Sequence, residues 1–114
     1  MENNKIKIGY IYHIVNCIDD KVYVGMTFNP KKRWRVHKND SKIGKSKLYK
    51  HMRLIGVENF SMVIISKYIL LDNIYSECVL NTFELDEIWS IDINCILNTN
   101  SIRNCINNNS HVMT

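Results

Sequence analysis

Two phenols eleven residues apart, Tyr12 and Tyr23, precede an arginine and a histidine four apart, Arg33 and His37. The second pair lies in the most basic stretch of the chain. Asn29 to Arg53 holds ten Lys and Arg against a single acid, Asp40, a net of +9 in 25 residues. The remaining residues carry five bases and ten acids. Positive charge at that density repels itself unless an anion sits against it, and nucleic acid is the commonest such polyanion. An acidic protein partner docking on the same segment is the competing reading. A guanidinium offers a planar fork of donors that matches phosphate oxygens. A phenol, with its ordinary pKa near 10, serves as a base only where neighbouring cations lower it.

These groups work together only if the fold collects them. Gly9–Asn16 and Lys21–Thr27 are rich in β-branched and aromatic residues. Cys17-Ile18-Asp19-Asp20 separates them, so the pair reads as a β-hairpin. A two- or four-residue loop makes paired residue numbers sum to an odd value. Because side chains alternate along a strand, Tyr12 and Tyr23 then share one face. Asn29-Pro30 combines an N-cap with proline at the first helical position and starts a helix to about Lys38. Arg33 and His37 share one side of it. Ser46 and Gly56 bracket a second helix with Leu48, Met52 and Ile55 as its apolar stripe. Phe60–Ser66 reads as a third strand, apolar enough to be the central one. A final helix is expected from about Glu77 to Ile93. On a wheel of ~100° per residue, Leu80, Phe83, Ile88 and Ile91 define an apolar arc that also contains Glu84 and Glu87. An acid in such an arc is costly to bury unless it meets a cation or a donor; Glu84, like Asp92, reads as structural.

The expected fold is therefore α/β of the α+β type, a three-stranded antiparallel sheet flanked by helices in the order ββααβα. At 114 residues, with 46% hydrophobic and 23% charged residues, the chain is long enough for one globular core. Four glycines and one proline exclude collagen-like or linker-like character. The N-terminus lacks a signal-peptide stretch, and no apolar run approaches membrane-spanning length. Cys17, Cys78, Cys95 and Cys105 show no zinc spacing and read as free thiols of a reducing, intracellular compartment. Residues 1–100 form the expected domain and 101–114 an Asn-rich tail.

The ordered set of residues resembles the GIY-YIG nuclease family over about residues 8–100. Tyr10-Ile11-Tyr12 and Tyr23-Val24-Gly25 correspond to the two signatures, and Arg33 and His37 in KKRWRVH fall at family spacing. Glu87-Ile88-Trp89-Ser90-Ile91 is similar to the segment that carries the family's metal-binding glutamate. Tyr10 stands where the family name has glycine, and Val24 where it has isoleucine. The resemblance implies a DNA endonuclease with Tyr12, Tyr23, Arg33, His37 and Glu87 as catalytic residues. Tyr12 would take or relay the proton of the attacking water, and Glu87 would hold one Mg²⁺ or Mn²⁺. Gly25 would allow close backbone approach, and Asn98 or Asn100 would supply the family asparagine, with Asn98 preferred. Lys31, Lys32, Arg35, Lys38, Lys47, Lys50 and Arg53 would contact the DNA, while Trp34 packs in the core. No membrane partner is expected. Target choice would fall to a homodimer or to a partner protein. A weakly specific nuclease, a homing-type enzyme, a subunit of a larger nuclease and a catalytically silent DNA-binding module all remain open.

Overall fold

A computed structural model describes residues 5–98; the tail, including Asn100 and Cys105, lies outside them. The strands are β1 (Ile6–Asn16), β2 (Tyr23–Thr27) and β3 (Phe60–Leu71), and the helices are α1 (Pro30–Asp40), α2 (Lys47–Ile55) and α3 (Ser76–Trp89). Short 3₁₀ turns occur at Val57–Asn59 and Ile93–Cys95. The order is the expected ββααβα, and the sheet is antiparallel throughout. The strands lie in the order β2-β1-β3, which makes β1 the central strand and β3 an edge.

The position of β3 corrects the sequence expectation. An apolar run cannot by itself distinguish a strand covered on both faces from one lying at an edge. β3 also continues to Leu71, five residues beyond the expected end, and leaves Val63, Ile64, Ile65, Ile69 and Leu71 exposed. The hairpin register, by contrast, is the one parity predicts: Tyr12 faces Gly25 and Ile14 faces Tyr23. Along the β1–β3 ladder the register shifts beside Tyr12. Ile11 pairs with Ser66 and Tyr12 with Ile64, leaving Ile65 as the bulged residue. Bulges of this kind sharpen local twist and re-aim neighbouring side chains.

Alternation along β1 divides the interior between the two faces of the sheet. On one face Tyr12 and Ile14 pack with Leu48 and Met52 of α2, Phe60 and Leu97, with Trp34 and Tyr23 at the margin. On the other, Ile11 and Val24 pack with Leu80 and Ile88 of α3 and with Ile96. Phe83 stacks on Tyr68 with centroids 4.1 Å apart. α1 begins as expected, the Asn29 side chain accepting from the Lys32 amide at 3.2 Å. α2 begins with Ser46 accepting from the Tyr49 amide, and Gly56 ends it at φ +110°. α3 stops at Trp89, short of the expected Ile93, and its N-terminus has no side-chain cap. Among the described residues no helix is long and apolar enough to cross a membrane, and Cys17, Cys78 and Cys95 are free thiols.

Candidate active site

Tyr12 is the hub. It projects from the central strand toward α1, is 1% exposed, and its ring crosses the β2 backbone at Gly25. A Cβ built on Gly25 would lie 2.2 Å from Tyr12 Cζ and Oη, so only glycine admits the ring there. The Tyr23 ring lies 6.3 Å from that of Tyr12, centroid to centroid, confirming the shared face. α1 delivers the other two groups from above. The Arg33 guanidinium lies close enough to the hydroxyls of Tyr12 and Tyr23 to favour their ionised forms. His37, 1% exposed, meets Tyr12 Oη through Nε2 at 2.7 Å. Its Nδ1 lies 2.9 Å from Oη of Tyr49, a residue of α2 that sequence reasoning passed over.

The ionisation of these groups follows from burial. Burial raises the Tyr12 hydroxyl well above the ordinary phenol range, and Tyr23 beside it adds to the rise, against the pull of Arg33. Tyr23 is raised for the same reasons, burial first and then the charge of Glu84. His37 is lowered to about 4, by burial and then by Arg33, and is a neutral imidazole near pH 7. Burial acts against the Arg33 charge, but the Tyr12 hydroxyl and the fields of Tyr12, Tyr23 and Tyr49 together outweigh it and hold the guanidinium above its ordinary value.

The acid of this cluster is Glu84. Burial raises its carboxyl to about 7, against the field of Arg33 and a hydrogen bond from the Met26 backbone amide. The edge of β2 explains how α3 reaches the tyrosine face. Val22, Val24 and Met26 turn their backbone groups to the outer edge of the sheet. The Val22 amide donates to the Cys95 carbonyl at 2.7 Å, and the Leu97 amide donates to the Val22 carbonyl at 2.6 Å. Asn98 accepts from the Val24 amide at 2.9 Å and donates to its carbonyl at 2.8 Å. Met26 is next along that edge, and Glu84 takes its amide.

Glu87 lies elsewhere. Its carboxylate pairs with His13 Nε2 at 2.7 Å. His13 follows Tyr12 on β1 and therefore points to the opposite face of the sheet. The structure thus brings together Tyr12, Tyr23, Arg33 and His37, while Glu87 pairs with His13 and the acid whose charge acts on Tyr12 and Tyr23 is Glu84. The helical wheel placed both acids in one arc; the crossing of α3 over β2 separates them. Asn98 sits 5% exposed as a clamp on the β2 backbone beside Tyr23.

The basic residues divide. Lys31, Lys32, Arg35, Lys38 and Lys50 are exposed, and Lys38 extends over the Trp34 ring at 5.5 Å. Arg35 and Lys38 line, with Lys42, a groove of about 440 Å³ on the outer side of α1. The Lys47 ammonium donates to the Ile96 carbonyl at 3.2 Å. Arg53 is committed to the fold: its Nη1 donates to the Ser41 and Gly44 carbonyls at 2.8 and 2.7 Å and ties the α1–α2 turn. Trp34 packs against the core as expected.

Uncharacterized protein 019R of Invertebrate iridescent virus 6 is 36% identical over 64 residues, 54% of this chain and 23% of that protein. The chain thus spans less than a quarter of that relative's length. No solved structure gives a significant match. The family model described as the GIY-YIG catalytic domain matches residues 8–76, which include Tyr12, Tyr23, Arg33, His37 and Tyr49 and end where α3 begins. With that match over more than half of its length, and the signature tyrosines on one face beneath Arg33 and His37, the chain belongs to the GIY-YIG family of nucleases.

Proposed function

We propose that this domain is a divalent-metal-dependent endonuclease that hydrolyses DNA phosphodiester bonds at the Tyr12 cluster. The carrying observation is the convergence of one guanidinium, two phenols and a neutral imidazole on a single face of the sheet, with the half-buried carboxyl of Glu84 at the β2 edge acting on them through its charge. Phosphodiester hydrolysis needs a group that takes a proton from water, positive charge on the phosphate oxygens, and help for the departing alkoxide.

Each residue has a part in that reaction. Because burial keeps the Tyr12 phenol protonated, it acts as a relay and not as a phenolate base, accepting the proton of the attacking water while passing its own hydroxyl proton to His37 Nε2. The 2.7 Å contact supports this step, as does an imidazole kept neutral by burial. Arg33, close to both phenols, offers its donors to the phosphate. Tyr23 adds its field to that guanidinium.

The residues fit one hard cation. Glu84 is a single carboxylate at the β2 edge within the field of Arg33, and Mg²⁺ or Mn²⁺ is commonly held by one or two carboxylates, waters and substrate phosphate. Among the described residues no group of three or more His, Cys, Asp or Glu forms a cage that would hold a metal by protein ligands alone. When bound, such an ion supplies Lewis-acid stabilisation to the phosphate and the leaving oxygen. Glu84 therefore replaces Glu87 as the proposed ligand. Lys31, Lys32, Arg35, Lys38, Lys47 and Lys50 supply the field that draws DNA to the site.

The test is incubation of the purified protein with supercoiled plasmid in Mg²⁺, Mn²⁺ or EDTA, alongside Tyr12→Phe and Arg33→Ala. The proposal expects nicked or linear product in either metal, and none in EDTA or with either variant. Intact plasmid in every lane, with salt-sensitive retention of DNA, would make the domain a binding module and refute the proposed activity.

A further inference from the structure

We infer that Tyr49 is a positioning residue that fixes the tautomer of His37 and carries its proton toward solvent, completing a Tyr12–His37–Tyr49 relay. The inference rests on the proposed reaction at Tyr12 and adds a member that the family signatures do not contain.

The relay assigns a direction to each of these hydrogen bonds. Arg33 can only donate, so toward Tyr12 it meets a lone pair of the phenol oxygen. The relay assigns the Tyr12 hydroxyl proton to the 2.7 Å contact, with His37 Nε2 as its acceptor. A neutral imidazole with a bare Nε2 carries its proton on Nδ1. Nδ1–H therefore donates to Tyr49 Oη at 2.9 Å. Tyr49 is half-buried, whereas Tyr12 and His37 are each 1% exposed, so the relay runs outward.

Packing supports a built contact. The Tyr49 ring meets the His37 ring edge-on with centroids 5.8 Å apart. The α1–α2 turn is shaped around it: a Cβ on Gly44 would lie 2.3 Å from Tyr49 Cδ2. Arg53 ties the same turn from its far side.

The relay answers a difficulty in the reaction. His37 sits between Tyr12 and Tyr23 of the sheet, Arg33 of its own helix and Tyr49 of α2, with Asp40 influencing Tyr49. A dry pocket beside a guanidinium is a poor place to store an imidazolium. Water gives its proton to Tyr12 Oη as the new O–P bond forms and the P–O bond to the leaving alkoxide breaks, that alkoxide taking up a proton from bulk water. The Tyr12 proton passes to Nε2, the Nδ1 proton to Tyr49 Oη, and the Tyr49 proton to bulk water. No net charge is left on His37.

The experiment is ¹⁵N NMR of the His37 imidazole in the wild type and Tyr49→Phe, paired with single-turnover cleavage across pH. Phenylalanine keeps the ring packing on His37 and Gly44, and the amide spectrum confirms the fold. The expected wild-type spectrum shows Nδ1 protonated and Nε2 bare. Tyr49→Phe should mix the tautomers, slow cleavage roughly 10-fold and alter the pH profile, with KM for DNA unchanged. A wild-type His37 protonated on Nε2, or a variant unchanged in both tautomer and rate, would overturn the relay. A wild type that cleaves nothing would remove the reaction, while the spectrum would still decide the tautomer.

Discussion

At the scale of single residues, the site keeps the Glu84 carboxyl protonated to a higher pH than water would, and that has a stability consequence. Glu84 titrates near 7 in the folded chain against an ordinary 4.5. Between those values the unfolded chain holds fewer protons, so this group's contribution falls as pH rises through the window. Glu84→Gln removes the fall. Urea unfolding should find the variant more stable than wild type by about 1–3 kcal/mol at about pH 8, with the gap closing toward about pH 4. A second consequence concerns Gly25. Gly25→Ala drives a methyl into the Tyr12 ring, and overpacking of this kind costs about 1–3 kcal/mol. Thermal unfolding should show that loss, and cleavage should fall with it because Tyr12 must leave its contact with His37.

At the scale of elements, the hairpin and the first two helices were legible in the sequence, and each for a stated reason. Parity across the Cys17–Asp20 loop aligned Tyr12 with Tyr23, and Asn29-Pro30 and Ser46 carried chemistry that only helix starts use. The remainder depended on long-range placement. Nothing in Phe60–Ser66 encodes that β3 lies at an edge, because that depends on which strand β1 accepts on its second side. Nor could the wheel separate Glu84 from Glu87, since the choice is made by how α3 crosses β2 and where the Met26 amide lies. Tyr49 gave no signal, as its role exists only once α2 packs beside His37. The edge of β2 carries its own prediction. Asn98→Ala leaves the Val24 amide and carbonyl without partners, at a cost of about 2–3 kcal/mol. Hydrogen exchange should show faster loss of protection at Val24, while protection in the β1–β3 ladder persists.

At the scale of the whole molecule, charge is sorted: the basic segment forms α1, α2 and the turn between them, and α3 carries no Lys or Arg. DNA should therefore approach from the α1–α2 side, with affinity that falls steeply with salt. Replacing Lys31, Lys32, Arg35, Lys38 or Lys50 one at a time should lower the slope of log K against log salt by up to about 1. Arg53→Met should leave that slope nearly unchanged and lower stability, because its guanidinium serves the α1–α2 turn. Titrations at several salt concentrations distinguish the two behaviours.

The central claim is that Glu84, and not Glu87, completes the site with Tyr12 and Arg33. Single-turnover cleavage of plasmid in Mg²⁺ by Glu84→Gln and Glu87→Gln, side by side with wild type, tests it most directly. The account predicts a loss of at least about 100-fold for Glu84→Gln, with Glu87→Gln within about 5-fold of wild type because only its pairing with His13 is lost. Cleavage that survives Glu84→Gln and vanishes with Glu87→Gln would contradict it.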